Sequence, residues 1–362
     1  MKFVHIADLH LDMPYINLKG NKELSKKLKL NQKFCLKQVI DYIKEEKVDV
    51  LFVAGDLFEQ KYVTSDTINY IISCFSKIPN TQIFITPGNH DPLIKSSPYS
   101  IYDFPDNVFI FGSEVGKYTI GNVDIYGLGF DNYEMQSEAI KEINVDESKI
   151  NILITHGTLN GSSKKYHDIK QELLKDFDYV ALGHIHMPKV DDSNIIYPGS
   201  LTSCGFDEPG NHGMISGTIE DEKLKCSELK VEKAIKKRLV TYKFICLDGI
   251  QFDHIEEDIS SINSKQELID KLKIDKNVIY KLKLIGKKSF DTAELIDEIK
   301  ACYPNIIDIE DETHIEYNFE EASKIDSLKG IFTKKMLEEL DNNPNHKEEI
   351  LEALEYIYSL MS

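Results

Sequence analysis

Short apolar runs, most of them ending at a cluster of glycine and metal-capable side chains, recur along this chain and constrain its fold more than any other feature. The runs are Phe3–Ile6, Val50–Ala54, Ile83–Thr86, Asn151–Thr155, Tyr179–Leu182 and Ile195–Tyr197. Runs this short, bounded by turn residues, read as buried strands rather than helices. Between several of them the apolar spacing turns helical. Residues 32–46 place Phe34, Val39, Tyr42 and Ile43 on one face, and residues 65–77 do the same with Ile68, Ile71, Ile72 and Phe75. Alternation of strands and helices predicts α/β layers. From about 108 to 130, Gly-Ser and Gly-Asn turns join further strands, and 213–231 reads as a hairpin turning near Glu220–Lys223. The large domain should therefore mix parallel and antiparallel pairing.

The pattern shifts at the basic stretch KVEKAIKKR, 230–238. Beyond it the order is strand (239–247), helix (264–273), strand (277–285), helix (291–301) and strand (305–317), a small βαβαβ unit. Two helices close the chain, 323–341 and 345–361, around Asn342-Asn343-Pro344-Asn345. The last carries a broad apolar stripe of Ile350, Leu351, Leu354, Ile357, Leu360 and Met361, suited to its own domain or to a partner helix. The expected division is 1–232, 233–320 and 321–362.

Chemistry concentrates at the strand ends. Asp8 and His10 follow the first run, Gly55-Asp56 the second, Gly88-Asn89-His90-Asp91 the third. Thr155-His156-Gly157 and Gly183-His184-Ile185-His186 follow later ones. In α/β folds that edge is where ligands bind, because loops from neighbouring strands converge there. Carboxylate, imidazole and side-chain amide together suit divalent ions such as Mn²⁺, Fe²⁺ or Zn²⁺. In D-x-H and H-x-H an extended chain would point both members the same way. One aspartate serves to bridge two ions roughly 3.5–4 Å apart. No cysteine falls in the clusters, which argues against a purely structural zinc.

Composition sets limits on partners. The formal net charge is −18 and Arg238 is the only arginine. Binding to a polyanion then needs metals, a local basic patch or a partner protein, and Arg-fork readout of bases is nearly absent. The six cysteines are scattered without a CxxC pair, as expected of reduced core residues. No stretch reaches the ~20 apolar residues of a membrane span, and a soluble cytoplasmic protein is expected.

The order D-x-H, GD, GNHD, TH, GHxH resembles that of the calcineurin-like metallophosphoesterases, over about the first 210 residues. The resemblance implies a four-layer α/β sandwich with two mixed β-sheets, a small α+β capping domain and C-terminal helices. It implies one ion on Asp8, His10 and His186, another on Asn89, His156 and His184, and Asp56 between them. His90 would then be no ligand but the general acid for the leaving oxygen, with Glu59 holding it. The segments HIADLHLD, GDLFE, TPGNHDP, ALGHIHMPKV and YPGSLTSCGFDEPGNHG are similar to SbcD-type DNA repair nucleases, especially the YhaO-like branch. That likeness implies a DNA phosphodiesterase, a 3′-to-5′ exonuclease with endonuclease activity, using two divalent ions, most readily Mn²⁺. It also implies an SbcC-like coiled-coil ATPase partner, docked on the final helices, and a homodimer. A small-molecule phosphatase or cyclic-nucleotide phosphodiesterase, and a non-catalytic DNA-end scaffold, are the alternatives.

Other polar residues read as structural. Strand alternation puts His5 on the face of Phe3 rather than with Asp8, as a core histidine would be. His212 belongs to the GNHG turn, and His167, His254, His314 and His346 read as surface. Tyr99, Tyr102 and Phe104 read as core packing, with base stacking as the alternative. Lys230, Lys233, Lys236, Lys237 and Arg238 read equally as a linker or as a DNA-backbone contact.

Overall fold

The computed structural model describes residues 1–15, 21–136, 138–161, 165–190, 193–223, 236–288, 293–315, 319–343 and 346–361. In chain order the elements are β1 (Lys2–Ile6), α1 (Lys22–Glu46), β2 (Val50–Val53), α2 (Ser65–Ser76), β3 (Gln82–Ile85), α3 (Pro98–Ile101), β4 (Val108–Ile110), β5 (Gly116–Ile120), β6 (Val123–Leu128) and β7 (Ile150–His156). There follow β8 (Thr158–Leu159), β9 (Asp168–Ile169), β10 (Tyr179–Gly183), β11 (Ile195–Ile196), β12 (Gly213–Lys223), β13 (Lys236–Cys246) and β14 (Gln251–Asp258). The chain ends with α4 (Lys265–Lys271), β15 (Val278–Lys288), α5 (Ala293–Cys302), β16 (Ile306–Ile315), α6 (Phe319–Ala322), α7 (Leu328–Asn342) and α8 (Lys347–Met361). Two compact units result, Met1–Asp253 with Lys276–Ile279, and His254–Asp275 with Tyr280–Ser362.

The first unit holds two mixed sheets. One runs β13-β12-β1-β2-β3-β4, parallel from β1 to β4 and antiparallel at β12 and β13. The other runs β11-β10-β7-β6-β5, parallel except at β5. The period-two alternation of a strand sorts the side chains into layers. Phe3, Phe52, Phe84, Ile152, Ile154, Tyr179 and Ala181 fill the space between the sheets. Val4, Ile6, Leu51, Val53, Ile83 and Ile85 point the other way, onto Leu36, Val39, Ile40 and Ile43 of α1 and Ile68, Ile71 and Phe75 of α2. Leu153, Val180 and Leu182 turn outward onto Ile140, Leu174 and Phe177. The fold is the expected four-layer α/β sandwich, although the layer outside the second sheet is built from short 3-10 turns at 139–142 and 171–174.

Several local expectations are corrected. The helix foreseen at 32–46 starts at Lys22, capped by the Asn21 side chain on the Leu24 N–H at 3.0 Å. Its buried face is Cys35, Leu36, Val39, Ile40 and Ile43, which leaves Phe34 exposed. No turn occurs at Glu220–Lys223: β12 runs through to Lys223 and pairs with β13. The strand foreseen at 239–247 as the start of the small unit therefore belongs to the first sheet. The cause is its alternating Val240, Tyr242 and Phe244, which pack against the core between the sheets. The small unit's sheet is β14-β15-β16, with α4 and α5 as its helices. β14 reads QFDHIEED, too polar to announce itself as a strand.

Among the histidines expected at the surface, His254, His314 and His346 are exposed but His167 is buried. Its carbonyl accepts from the Thr158 N–H at 2.9 Å where β8 meets β9. Cys35, Cys74 and Cys204 are buried free thiols, while Cys246 and Cys302 are exposed. Tyr99 is buried and Tyr102 and Phe104 pack against the same core. Residues 224–235, which take in 230–235 of the basic stretch, and the side chains of 236–239 lie outside the described residues. In the last helix Leu354 and Tyr358 are buried, and Ile350, Leu351 and Ile357 partly so. Leu360 and Met361 are outside the described side chains. No described helix is long and apolar enough to cross a membrane.

Candidate metal centre

The carboxyl ends of β1, β2 and β3 in one sheet and of β7 and β10 in the other meet, and the polar clusters meet with them. Backbone hydrogen bonds tie the loops: Asp8 N–H donates to the Gly55 carbonyl at 3.1 Å and His10 N–H to the Asp56 carbonyl at 2.9 Å. Across the sheets, His184 N–H donates to both Asp8 oxygens at 3.0 Å. The close approach requires glycine. A Cβ at Gly88 would stand 2.2 Å from Asp56 Oδ1, and one at Gly183 would stand 1.9 Å from the Ala54 carbonyl oxygen.

The backbone here is unlike the extended chain that the D-x-H and H-x-H spacing implied. Asp8, His10, Asp56 and His184 have φ of 52°, 48°, 53° and 98°. Non-glycine residues at positive φ are uncommon and cost energy, and they gather where surrounding structure holds a functional geometry. Tight left-handed turns, not strand alternation, aim these side chains.

Those side chains come within a few ångströms of each other. His10 Nε2 is 3.0 Å from His186 Nε2 and 3.7 Å from Asp56 Oδ2. His156 Nε2 is 3.3 Å from Asp56 Oδ2 and 3.1 Å from Asn89 Oδ1. Asp56 thus stands between two groups. Ligand atoms of Asp8, His10 and His186 all lie within 4.8 Å of one another, as do those of Asp8, Asp56 and His156, and those of His10, Asp56 and His90. His184 is placed less tightly. Its ring lies 5.2 Å from that of His156, and it enters no such group among the described residues.

Hydrogen bonding on the far side of each ring decides which nitrogen faces the centre. His10 Nδ1 donates to Glu59 Oε1 at 2.8 Å, His186 Nδ1 to Glu208 Oε1, and His156 Nδ1 to the Ala54 carbonyl at 2.9 Å. In the neutral rings each Nε2 then carries a lone pair. Two lone pairs face each other at 3.0 Å between His10 and His186, and a third faces the Asp56 and Asn89 oxygens. Buried acceptors turned on one another demand a cation or a proton, so the donor set fits divalent ions.

The protonation states agree. Burial works against a charge on His156 and His186, yet Asp56 and Asp8 push His156 up to about 9, and Glu208 with Asp8 does the same to His186. Burial likewise opposes the charge on Asp56, but His156 and His10 hold it below the usual carboxylate range. The same carboxylates that favour a proton on these two rings favour a cation in its place.

Glu59 reaches both His10 and, at 3.0 Å, His90 Nδ1. Burial lowers the His90 pKa, but the Glu59 hydrogen bond and the Asp56 charge leave it raised. His90 N–H also donates to Asp56 Oδ1 at 2.8 Å, while its side chain is half-exposed, at the mouth of the cluster.

Three contributors had been given no role from the sequence, Asp91 among them although it lies in the third cluster. Glu208 holds His186 and accepts from Cys204 N–H at 3.0 Å. It lies in the FDE segment, whose only signal in the sequence was its likeness to the nuclease lineage. Asp91 accepts from the backbone N–H groups of Asp56, Gly88 and Leu57 at 3.0, 2.7 and 2.8 Å and from the Tyr99 hydroxyl at 2.7 Å, bracing two loops. Gln32, buried within α1, donates to the His10 carbonyl at 2.7 Å. His5 and His212 are structural. His5 pairs with the Tyr179 hydroxyl at 3.0 Å, and His212 lies within hydrogen-bond distance of Ser200 and the Glu208 carbonyl.

The family model for calcineurin-like phosphoesterases matches residues 1–188. The chain is 27% identical over 350 residues to the SbcD component of the nuclease SbcCD of Staphylococcus saprophyticus, covering 86% of this chain and 85% of that one. It is 28% identical over 258 residues to the "Uncharacterized metallophosphoesterase YhaO" of Bacillus subtilis, covering 65% of this chain and 62% of that protein. A dimetal phosphatase from Danio rerio overlays 60% of this chain and 92% of its own at a TM-score of 0.37 and 12% identity, too loose a likeness to carry weight. Matched over more than half its length by the family model, and bearing a buried donor set that calls for cations, this chain belongs to the calcineurin-like phosphoesterases, a family of metal-dependent hydrolases.

Proposed function

We propose that this chain hydrolyses DNA phosphodiesters at a two-cation centre. The observation that carries the centre is the convergence of imidazole nitrogens with the Asp56 and Asn89 oxygens at 3.0 to 3.3 Å. Asp8, His10 and His186 would hold one ion, Asn89, His156 and His184 the other, with Asp56 between them. Bound cations supply a water that is nucleophilic at neutral pH and offset the phosphate's charge.

The rest falls to the chain. His90, held by Glu59 and half-open to solvent, gives its Nε2 proton to the departing sugar oxygen. Glu59 holds the ring at Nδ1, which leaves Nε2 as the nitrogen to act, and favours the protonated form. Asp91 and Gln32 fix the loops that carry Asp56 and His10.

DNA as substrate is supported by the length and segment likeness to a nuclease component. The name of that relative is also the ground for including an SbcC-like ATPase partner, and a homodimer and a cytoplasmic setting belong to the same proposal. Net charge of −18 favours the second reading, a small phosphodiester substrate.

The test is cleavage of end-labelled single- and double-stranded DNA with Mn²⁺, beside bis-p-nitrophenyl phosphate, for wild type and His90→Ala. Shortening of DNA that falls by about 10²–10⁴ in His90→Ala supports the proposal. Hydrolysis of the small diester alone, with DNA untouched even when an SbcC-like ATPase is added, overturns the DNA substrate and leaves the centre.

A further inference from the structure

Beside His90 the first unit has an open cleft of about 420 Å³, within the usual range for ligand sites. Asn89, His90, Lys61, Tyr62, Tyr133 and Tyr166 are among its lining. Three tyrosines line this one cleft. Tyr42, Tyr70, Tyr99, Tyr102 and Tyr197 each spend their hydroxyl on a protein acceptor. The hydroxyls of Tyr62, Tyr133 and Tyr166 form no hydrogen bond among the described residues. Tyr62 is 47% exposed and the other two are half-buried. They present rings to solvent next to the reacting groups.

The rings connect to the centre. Tyr166 lies 5.1 Å from the ring of His184, which lies 5.2 Å from that of His156. A flat group resting on Tyr166 is therefore beside the cations' place. Lys61 Nζ sits 5.0 Å over the ring of Tyr133. The acids of the cleft are spoken for: Glu59 is held by His10 and His90, and Glu134 pairs with Lys165 at 3.5 Å. In a chain of net charge −18, this rim offers aromatic faces and a lysine to an incoming anion.

We propose that Tyr62, Tyr133 and Tyr166 form a nucleobase subsite, on which a base flanking the scissile phosphate stacks while Lys61 meets the neighbouring phosphate. The inference rests on the DNA reading above and deepens it: the substrate at the centre is an unpaired nucleotide, since a base inside a duplex has no free face to offer. Every base has such a face, so the subsite tolerates any sequence.

The experiment uses the full chain with Mn²⁺ and single-stranded oligonucleotides whose terminal nucleotide carries a base or is abasic. Stacking on an aromatic residue is worth roughly 5- to 150-fold per base. The wild type should prefer the base-bearing end by that factor in kcat/KM. The preference should collapse towards one in Tyr133→Ala or Tyr166→Ala and persist in Tyr133→Phe and Tyr166→Phe. A second readout needs no turnover. With EDTA present, a terminal 2-aminopurine should be quenched on binding to wild type and to the Phe variants, and not on binding to the Ala variants. An undiminished preference and undiminished quenching in both Ala variants overturn the subsite while the DNA reading stands. Hydrolysis of bis-p-nitrophenyl phosphate with no binding or cleavage of any oligonucleotide overturns the DNA reading and the subsite together.

Discussion

Glu208→Gln changes one oxygen to an amide nitrogen and should uncouple His186 from the centre. Glu208 is only 8% exposed, and its two oxygens are both committed. Oε1 takes His186 Nδ1–H, while Oε2 takes Cys204 N–H at 3.0 Å and the Ser200 hydroxyl at 3.4 Å. A glutamine has one acceptor for these two sides. If its oxygen stays on His186, its NH₂ confronts the buried Cys204 N–H, an orphaned donor costing about 1–3 kcal/mol of stability. If it turns to Cys204, the NH₂ confronts Nδ1, and His186 must move its proton to Nε2, the atom 3.0 Å from His10. That removes the lone pair from the centre. Loss of a carboxylate behind a ligating histidine typically weakens metal binding by about 10–100-fold, about 1.4–2.7 kcal/mol. The assay is calorimetric titration of EDTA-stripped protein with Mn²⁺, with circular dichroism to check folding. Glu208→Asp, one methylene short of reaching both partners, should fall between. If Glu208→Gln binds Mn²⁺ within twofold of wild type while His186→Ala binds weakly, the carboxylate has no hold on the site and the argument fails.

Protons and cations compete for the same lone pairs. With His156 and His186 both pushed up to about 9, Mn²⁺ affinity should rise steadily from pH 6 to 9, and titrations in buffers of different ionisation enthalpy should show proton release. Away from the centre, burial opposes the charge on Asp124, but hydrogen bonds from Lys117, Lys149 and Thr119 hold its carboxyl at about 2. A folded pKa below the unfolded one means stability present above about pH 4 and lost as pH falls towards 2. Because both lysines are partly exposed, the contribution is about 1–2 kcal/mol, and Asp124→Asn should flatten the acid limb of a pH–stability curve by that amount. Gly88→Ala drives a Cβ to 2.2 Å from Asp56 Oδ1 and should abolish high-affinity Mn²⁺ uptake; a variant that binds as wild type would show that the loop has room.

Much of the architecture is written in local periodicity. Apolar runs such as Phe3–Ile6 and Val50–Ala54 announce strands because a buried strand needs apolar residues on both faces, and the sandwich shows both faces covered. The kinds of residue at the strand ends were legible for a similar reason. Cations demand oxygen and imidazole donors, and in a layered α/β fold the loops after parallel strands are where such donors can meet. The family likeness needed no more than the order of those clusters. Elements without a period were not legible: β14, with Phe252 and Ile255 among charged residues, and the early turns of α1, where lysines outnumber apolar positions.

What only the tertiary structure decided is which way each group faces and what stands behind it. His10, His156 and His186 could present either nitrogen until Glu59, the Ala54 carbonyl and Glu208 took the other, and those partners lie 49, 102 and 22 residues away. Left-handed backbone at Asp8, His10, Asp56 and His184 aims the side chains, a conformation that Asp and His tolerate better than most residues and that hydrogen bonds between loops of both sheets impose here. The same holds for β13, whose alternation marks a strand but not its sheet, and for His167, whose burial comes from the chain folding over it. A sequence specifies which groups are available, because propensity and polarity are properties of neighbours along the chain. Tautomer, orientation and second partners are properties of neighbours in space.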